Sequence, residues 1–189
     1  MTAGPLSLPP VDLPTEQMRV RRKATYAFVL CVGVLAIASL ALPLWFAFPT
    51  TMADRLAFVL RVDLVVALWV VLAIRMVAHI RFQSAEDNAG SAFASPSPRL
   101  AVPAAFLQNT LEQAFIAVMA HLALATAPGA APLAYVLGAV ALFSLGRVTF
   151  LRGYPQGAAG RAFGVVTTVI PTLGAYAWTV SAIAKDLVR

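Results

Sequence analysis

One apolar stretch of the sequence carries a compact group of polar residues, which are Gln108, Asn109, Glu112 and Gln113. Residues three and four positions apart share one face of a helix, so Gln108, Asn109 and Glu112 would present their polar groups together. Glu112 would lie roughly 15 Å along a helix that starts near Val102. Its carboxylate is too deep to reach the helix end, and it therefore needs a partner inside the protein.

The next apolar stretch carries an opposite charge at the same depth. The turn at residues 128–132 lies midway between Glu112 and Arg147 in the sequence, so an antiparallel helix pair would place these two residues at one level. Such an ion pair would neutralise both charges inside a bundle. Taken alone, it fits a structural role that fixes helix register as well as it fits a binding role.

A phenol and a second arginine follow in the sequence. Tyr154 comes seven residues after Arg147, on the same helix face, and Arg161 comes seven residues after Tyr154. Together with Asn109 and Glu112, these groups suit an amphipathic anionic ligand. Arginine binds carboxylates through two parallel hydrogen bonds, while Glu and Asn accept from an amino group or pair with a peptide.

The elements that must position these residues are transmembrane helices. The chain has 189 residues, of which 60% are hydrophobic and 12% charged, whereas a soluble domain is about a quarter charged. Its apolar runs are long enough to cross about 30 Å of hydrocarbon. The pattern predicts an all-α integral membrane bundle with five helices, at residues 24–48, 56–80, 102–127, 133–151 and 161–183. Residues 1–23, which are polar and then basic, are predicted to form a flexible tail.

The net charge of +6 does not indicate nucleic-acid binding, because the basic residues lie at the ends of apolar runs, where lipid headgroups explain them. Four Lys and Arg precede the first run, three flank the loop after the second and three flank the turn after the fourth. These ten of the fourteen predict a cytosolic N-terminus and a C-terminus on the opposite side.

Other reactive residue types suggest less chemistry. Cys31 is the only cysteine and has no partner for a disulfide or a metal site. His121 is expected to pack against another helix or subunit, and Asp63 to pair across subunits or with headgroups. No metal-binding, nucleotide-binding or Ser-His-Asp pattern is present.

Three short motifs, in order, resemble the MAPEG family, the membrane-associated proteins of eicosanoid and glutathione metabolism. Residues 109–112 read Asn-Thr-Leu-Glu and match the family's Asn-x-x-Glu. Residues 147–154 read Arg-Val-Thr-Phe-Leu-Arg-Gly-Tyr, with Arg161 at the family's spacing, and residues 82–87 read Phe-Gln-Ser-Ala-Glu-Asp, similar to a Phe-x-x-x-Glu-Asp loop. The resemblance covers about residues 56–183.

The resemblance implies a four-helix subunit that assembles as a homotrimer, with glutathione bound between subunits near the cytosolic face. Residues 56–185 would form this MAPEG-like bundle, and the helix at 24–48 would be an addition to it. Asn109, Glu112, Arg147 and Tyr154 would bind glutathione as a co-substrate. Arg161 would be the catalytic residue that stabilises the glutathione thiolate, because an adjacent guanidinium lowers a thiol pKa from about 8.5.

The implied activity is conjugation or reduction of a lipophilic electrophile or hydroperoxide that arrives from the bilayer. The sequence departs from the family at Ala105, where an arginine is usual, and at Phe150, where a tyrosine is usual. Two other functions therefore stay open. One is a non-enzymatic MAPEG-like scaffold or lipid-binding protein, and the other is a small proton-coupled transporter that uses Glu112.

Overall fold

The computed structural model of the chain describes residues 11–188. These residues form five α-helices and one 3-10 turn, with no strand among them. The elements are α1 (Leu13–Trp45), α2 (Met52–Gln83), α3 (Pro98–Ala125), α4 (Ala131–Gly153), the 3-10 turn (Tyr154–Gln156) and α5 (Gly157–Leu187). The prediction of an all-α bundle is confirmed.

Three helical stretches are long and apolar enough to cross a membrane, and they are Leu13–Trp45, Met52–Gln83 and Ala131–Leu187, the last of which contains α4 and α5. α3 is not among them, because its polar group lowers its hydropathy. Large apolar side chains cover the outside of α2, including Leu60, Leu64 and Leu68, each more than half exposed. Such a surface suits contact with lipid.

α1 begins earlier than the sequence pattern predicts. Residues 13–23 are helical, so the predicted tail over residues 1–23 is wrong for that part, while residues 1–10 lie outside the described residues. Pro14 lies in the first turn of α1, where its missing N–H costs no hydrogen bond. α2 to α5 also start before the predicted boundaries, since an apolar pattern marks the hydrocarbon core and a helix continues beyond it.

The helices pack in two groups that meet along both α4 and α5. α4 and α5 contact each other extensively, and α1 lies against both of them. α2 packs mainly against α3, and α3 contacts α5 much more than it contacts α4. Consecutive helices α3 and α4 are therefore not a closely packed pair.

The first helix is attached through small side chains. Its buried face carries Ala27, Cys31, Leu35 and Ala38. A Cβ atom built on Gly138 of α4 would lie 3.0 Å from the Cβ of Ala38, so the two helix backbones approach closely there. Close approach of this kind is how helices associate in lipid, where apolar burial alone gives little driving force.

A buried polar pair joins α2 to α3. The Nδ1 atom of His121 lies 2.7 Å from Oδ1 of Asp63, and both side chains are buried. His121 does pack against another helix, as predicted, but the prediction that Asp63 pairs across subunits or with headgroups is wrong. Burial of an ionisable group at membrane depth is tolerated when it has a partner of this kind.

The connection between α2 and α3 is organised by Asp87. Its Oδ1 accepts a hydrogen bond from the Ser97 backbone N–H at 2.9 Å, and its Oδ2 accepts from the Ser97 hydroxyl at 2.7 Å. The backbone hydrogen bond from Ser97 is the main cause that lowers the pKa of the Asp87 carboxyl. Ser97 in turn caps α3, because its Oγ accepts from the Leu100 N–H.

Arg55 of α2 binds the C-terminal end of α3, at the opposite end of the helix pair from Asp87. The Arg55 guanidinium donates from Nε to the Ala125 carbonyl at 2.8 Å, from one terminal nitrogen to the Gly129 carbonyl at 2.7 Å, and from the other to the Ala127 carbonyl. The last carbonyls of a helix have no partner within the helix. Arg55 therefore satisfies the end of α3 and the turn that follows it.

We expect Arg55→Met to destabilise the protein, because the carbonyls of the buried residues Ala125 and Ala127 lose their donor at a cost of about 1–3 kcal/mol each. The melting temperature of the detergent-solubilised protein should fall by at least about 5 °C. Arg61→Met is the matched control, since Arg61 is exposed on the same helix. Equal melting temperatures for the two variants would contradict this role of Arg55.

Candidate functional site

The turn between α4 and α5 depends on two glycines that touch. A Cβ atom built on either Gly153 or Gly160 would overlap the backbone of the other, so no larger residue fits at either position. Gly157, which begins α5, has a φ of 77°, a conformation that favours glycine. This tight turn brings Tyr154 and Arg161 together, with the Arg161 Cζ atom 4.7 Å from the centroid of the Tyr154 ring. The two residues form a cation–π contact.

Arg147 is fully buried between α3, α4 and α5. One terminal nitrogen donates to Oδ1 of Asn109 at 2.8 Å, and the other donates to the Thr168 hydroxyl at 2.9 Å. The Cζ atom lies 5.3 Å and 5.1 Å from the ring centroids of Phe143 and Phe150. Within residues 11–188 no carboxylate forms an ion pair with Arg147, and its Nε has no hydrogen-bond partner.

A cavity of about 380 Å³ opens beside this arginine. Its polar lining consists of Asn109, Tyr154 and Arg161. The rest of the lining is apolar and comes from α1, α3, α4 and α5: Val20, Ala24, Ala105, Phe150, Ala158, Ala162, Val165 and Val166. Most ligand sites combine apolar walls with a few polar groups in this way.

The polar groups of the cavity favour an anionic ligand with hydrogen-bonding groups. Arg161 supplies a cation and donors in a planar fork, which suits a carboxylate or a thiolate. Because Oδ1 of Asn109 already accepts from Arg147, its amide NH₂ is left to donate into the cavity. Arg147 does not line the cavity. Its hydrogen bond to Oδ1 of Asn109 holds the side chain that does line the cavity.

The structure brings three of the five predicted site residues into one cavity, namely Asn109, Tyr154 and Arg161. Arg147 lies in contact with them through Asn109. Glu112 does not join the group, because it is exposed on α3 and accepts a hydrogen bond from Nε2 of Gln108 at 3.1 Å.

The predicted ion pair between Glu112 and Arg147 is therefore not formed within the single chain. The antiparallel course of α3 and α4 places the two residues at one depth but does not determine the direction in which either side chain points. Because α3 packs against α2 and α5, Glu112 is rotated to the outside of the bundle. The group that meets Arg147 is Asn109, three residues earlier on the same helix.

Sequence reasoning missed two parts of this site. One is Thr168, the second hydrogen-bond partner of Arg147, which the sequence pattern does not single out. The other is the pair Val20 and Ala24, since Val20 falls in the predicted tail over residues 1–23 and Ala24 is the first residue of the predicted helix at 24–48.

The family model described as the MAPEG family matches residues 56–181 of the chain. No curated protein and no solved structure matches the chain significantly. The matched region begins after α1 and includes all five of the predicted site residues.

We expect Gly160→Ala to displace the α4–α5 turn, because the added Cβ would overlap the backbone of Gly153. Forcing an extra methyl group into a packed contact costs about 1–3 kcal/mol. Gly33→Ala is the control, since a Cβ there meets nothing within 4 Å and alanine is the better helix former. Thermal unfolding should show a lower melting temperature for Gly160→Ala alone. A fall of equal size in both variants would mean that the close contact is not what requires glycine.

Proposed function

Because the chain belongs to the MAPEG family, we propose that its cavity binds glutathione as a co-substrate and that the protein is a membrane-embedded transferase or peroxidase. Its second substrate is a lipophilic electrophile or a lipid hydroperoxide. The observation that carries this proposal is the cavity that Asn109, Tyr154 and Arg161 share, with its cationic end and apolar walls.

Arg161 is the proposed catalytic residue. A free thiol with a pKa near about 8.5 is mostly protonated at neutral pH, and a guanidinium beside it favours the thiolate. Tyr154 supports this role, since its ring holds the Arg161 side chain by a cation–π contact at 4.7 Å. In conjugation the thiolate sulfur would attack the electrophilic carbon and the leaving group would depart with its electron pair. In peroxide reduction the sulfur would attack a peroxide oxygen, the O–O bond would break, and the lipid alcohol would be released after it takes up a proton. The glutathione sulfenic acid formed in that step would react with a second glutathione to give the disulfide and water.

Asn109 and Tyr154 are the proposed binding residues, and Arg147 is proposed to position Asn109. The Asn109 amide would donate to a carbonyl or carboxylate of glutathione, and Arg147 would keep this amide in one orientation. Ala105 supplies no charge to the cavity wall, and the loss of one charge-assisted hydrogen bond there costs about 1.5–3 kcal/mol. Glutathione binding would therefore be about ten- to a hundredfold weaker than in a site with an arginine at this position.

The apolar part of the cavity fits the second substrate. Phe150, Val165 and Val166 supply apolar surface within the membrane-spanning part of the chain. A lipophilic molecule could reach this surface from the bilayer without crossing water, while glutathione would arrive at the end where Arg161 lies. The distribution of Lys and Arg supports a cytosolic position for that end of the bundle and for the N-terminus.

Glu112 is the basis for a proposed homotrimer. Its carboxylate is exposed on the outside of α3, beside the exposed side chains of Gln108, Leu111 and Phe115. A charged group that faces lipid near the middle of a membrane costs at least about 2.5–3.5 kcal/mol. A neighbouring subunit that covers this face would remove the cost, and it would bring Glu112 into a site formed between subunits.

A non-enzymatic scaffold is the second candidate, and one observation favours it. Both terminal nitrogens of Arg147 are already bound to side chains of the bundle, so this residue would be structural. A scaffold needs no glutathione, whereas the enzyme does.

We expect millimolar glutathione to raise the melting temperature of the detergent-solubilised protein, as any ligand that binds only the folded state does. Arg161→Ala should abolish this shift and also the conjugation of glutathione to 1-chloro-2,4-dinitrobenzene, measured by absorbance. Arg152→Ala is the control, because Arg152 is exposed nearby on α4 and does not line the cavity. If glutathione leaves the wild-type melting temperature unchanged, the scaffold is favoured.

We expect chemical crosslinking of the detergent-solubilised protein to give species up to a trimer. Glu112→Leu should lower the fraction of crosslinked trimer. Leucine is stable in contact with lipid, so the variant no longer gains free energy when a neighbouring subunit buries position 112. Glu86→Leu, in the exposed loop, serves as the control. A monomer alone in the wild type would refute the trimer. A wild-type pattern in Glu112→Leu would place Glu112 outside the subunit interface.

A further inference from the structure

The first helix lies outside the region that matches the MAPEG family, yet it forms part of the cavity. Val20 and Ala24 of α1 line the cavity together with Ala105 of α3. Both residues are partly buried, although several basic residues around them are exposed. This segment of α1 is therefore seated against the bundle.

A hydrogen bond fixes the same segment to α5. Oε1 of Glu16 accepts from the backbone N–H of Ala159 at 2.8 Å. Ala159 is the third residue of α5, where N–H groups have no partner within the helix, and Gln156 supplies no side-chain cap. The Glu16 carboxylate takes the place of that cap, and its negative charge is favourable at a helix N-terminus.

The contacts along α1 form one continuous face. Glu16, Val20, Ala24, Ala27 and Cys31 follow one another at spacings of three and four, so they lie on the same side of the helix. Ala27 and Cys31 are fully buried. The face that packs against α4 and α5 within the membrane is therefore the same face that reaches the cavity.

We propose that α1 is a wall of the ligand site, in which Val20 and Ala24 determine what the site accepts and Glu16 positions them. The identity of the ligand rests on the function proposed above. The position of α1 against the cavity does not depend on which ligand is bound. Because Ala105, Val20 and Ala24 are small or apolar, the part of the cavity between α1 and α3 selects an apolar group. The cationic end of the cavity, at Arg161, selects an anionic group, which the proposed function assigns to glutathione.

The wall can be tested without glutathione by the reactivity of a cysteine inside the cavity. Cys31 is the only natural cysteine, so Cys31→Ala combined with Ala105→Cys gives a protein with one thiol on the cavity wall. Its alkylation by N-ethylmaleimide in detergent should become about two- to thirtyfold faster with Glu16→Ala, the range expected for the loss of one helix cap. Glu16→Gln keeps an acceptor oxygen and should react like the parent protein, as should Gln17→Ala, the exposed neighbour.

A second variant should lower the alkylation rate of the cysteine at position 105, whereas Glu16→Ala should raise it. Ala24→Phe should fill the space beside residue 105 and slow the alkylation severalfold, and this arm decides the matter if Glu16→Ala does not fold. Unchanged alkylation in both Glu16→Ala and Ala24→Phe would overturn the proposal. Absence of a glutathione-induced melting shift in the wild type would overturn the proposed function and leave the alkylation result standing.

Discussion

The buried guanidinium of Arg147 is the interaction on which the site depends. A cation removed from water is costly unless its donors are paired, and here the two terminal nitrogens are bound to Asn109 and Thr168. The Thr168 hydroxyl accepts from Arg147 and donates to the Val165 carbonyl of its own helix at 2.9 Å. The hydroxyl therefore links Arg147 to the backbone of α5. Arg147 thereby fixes α3 and α5 relative to α4, and the cavity lies where these helices meet.

Hydrogen bonds join both the α2–α3 and the α4–α5 pair, but close packing of small residues is prominent in the α4–α5 pair. Polar contacts join α2 to α3, through Asp63 with His121 and through Arg55 at the helix ends. Small residues join α4 to α5, where Gly146 contacts Thr168 and Gly153 contacts Gly160. The cavity lies between α3 of the first pair and the turn of the second. Each helix pair is thus stabilised by its own contacts.

The sequence predicted the helices well because lipid imposes a simple requirement, a long apolar run for each crossing. It also predicted that Asn109, Tyr154 and Arg161 lie at one end of the bundle, since alternating helices place them there. It did not predict the direction of Glu112, because depth follows from counting residues whereas rotation depends on which helices are neighbours. The role of Val20 was not predicted for another reason, since the basic residues around it favour a solvated segment although Val20 shares a helix face with Ala27 and Cys31.

The contact between Ala38 and Gly138 joins the matched region of the chain to the helix before it. Gly138 lies within the region that matches the family and Ala38 lies outside it, and a Cβ atom at position 138 would lie only 3.0 Å from the Cβ of Ala38. The two helix backbones approach this closely because both side chains are small. A larger side chain at either position would therefore push α1 away from α4.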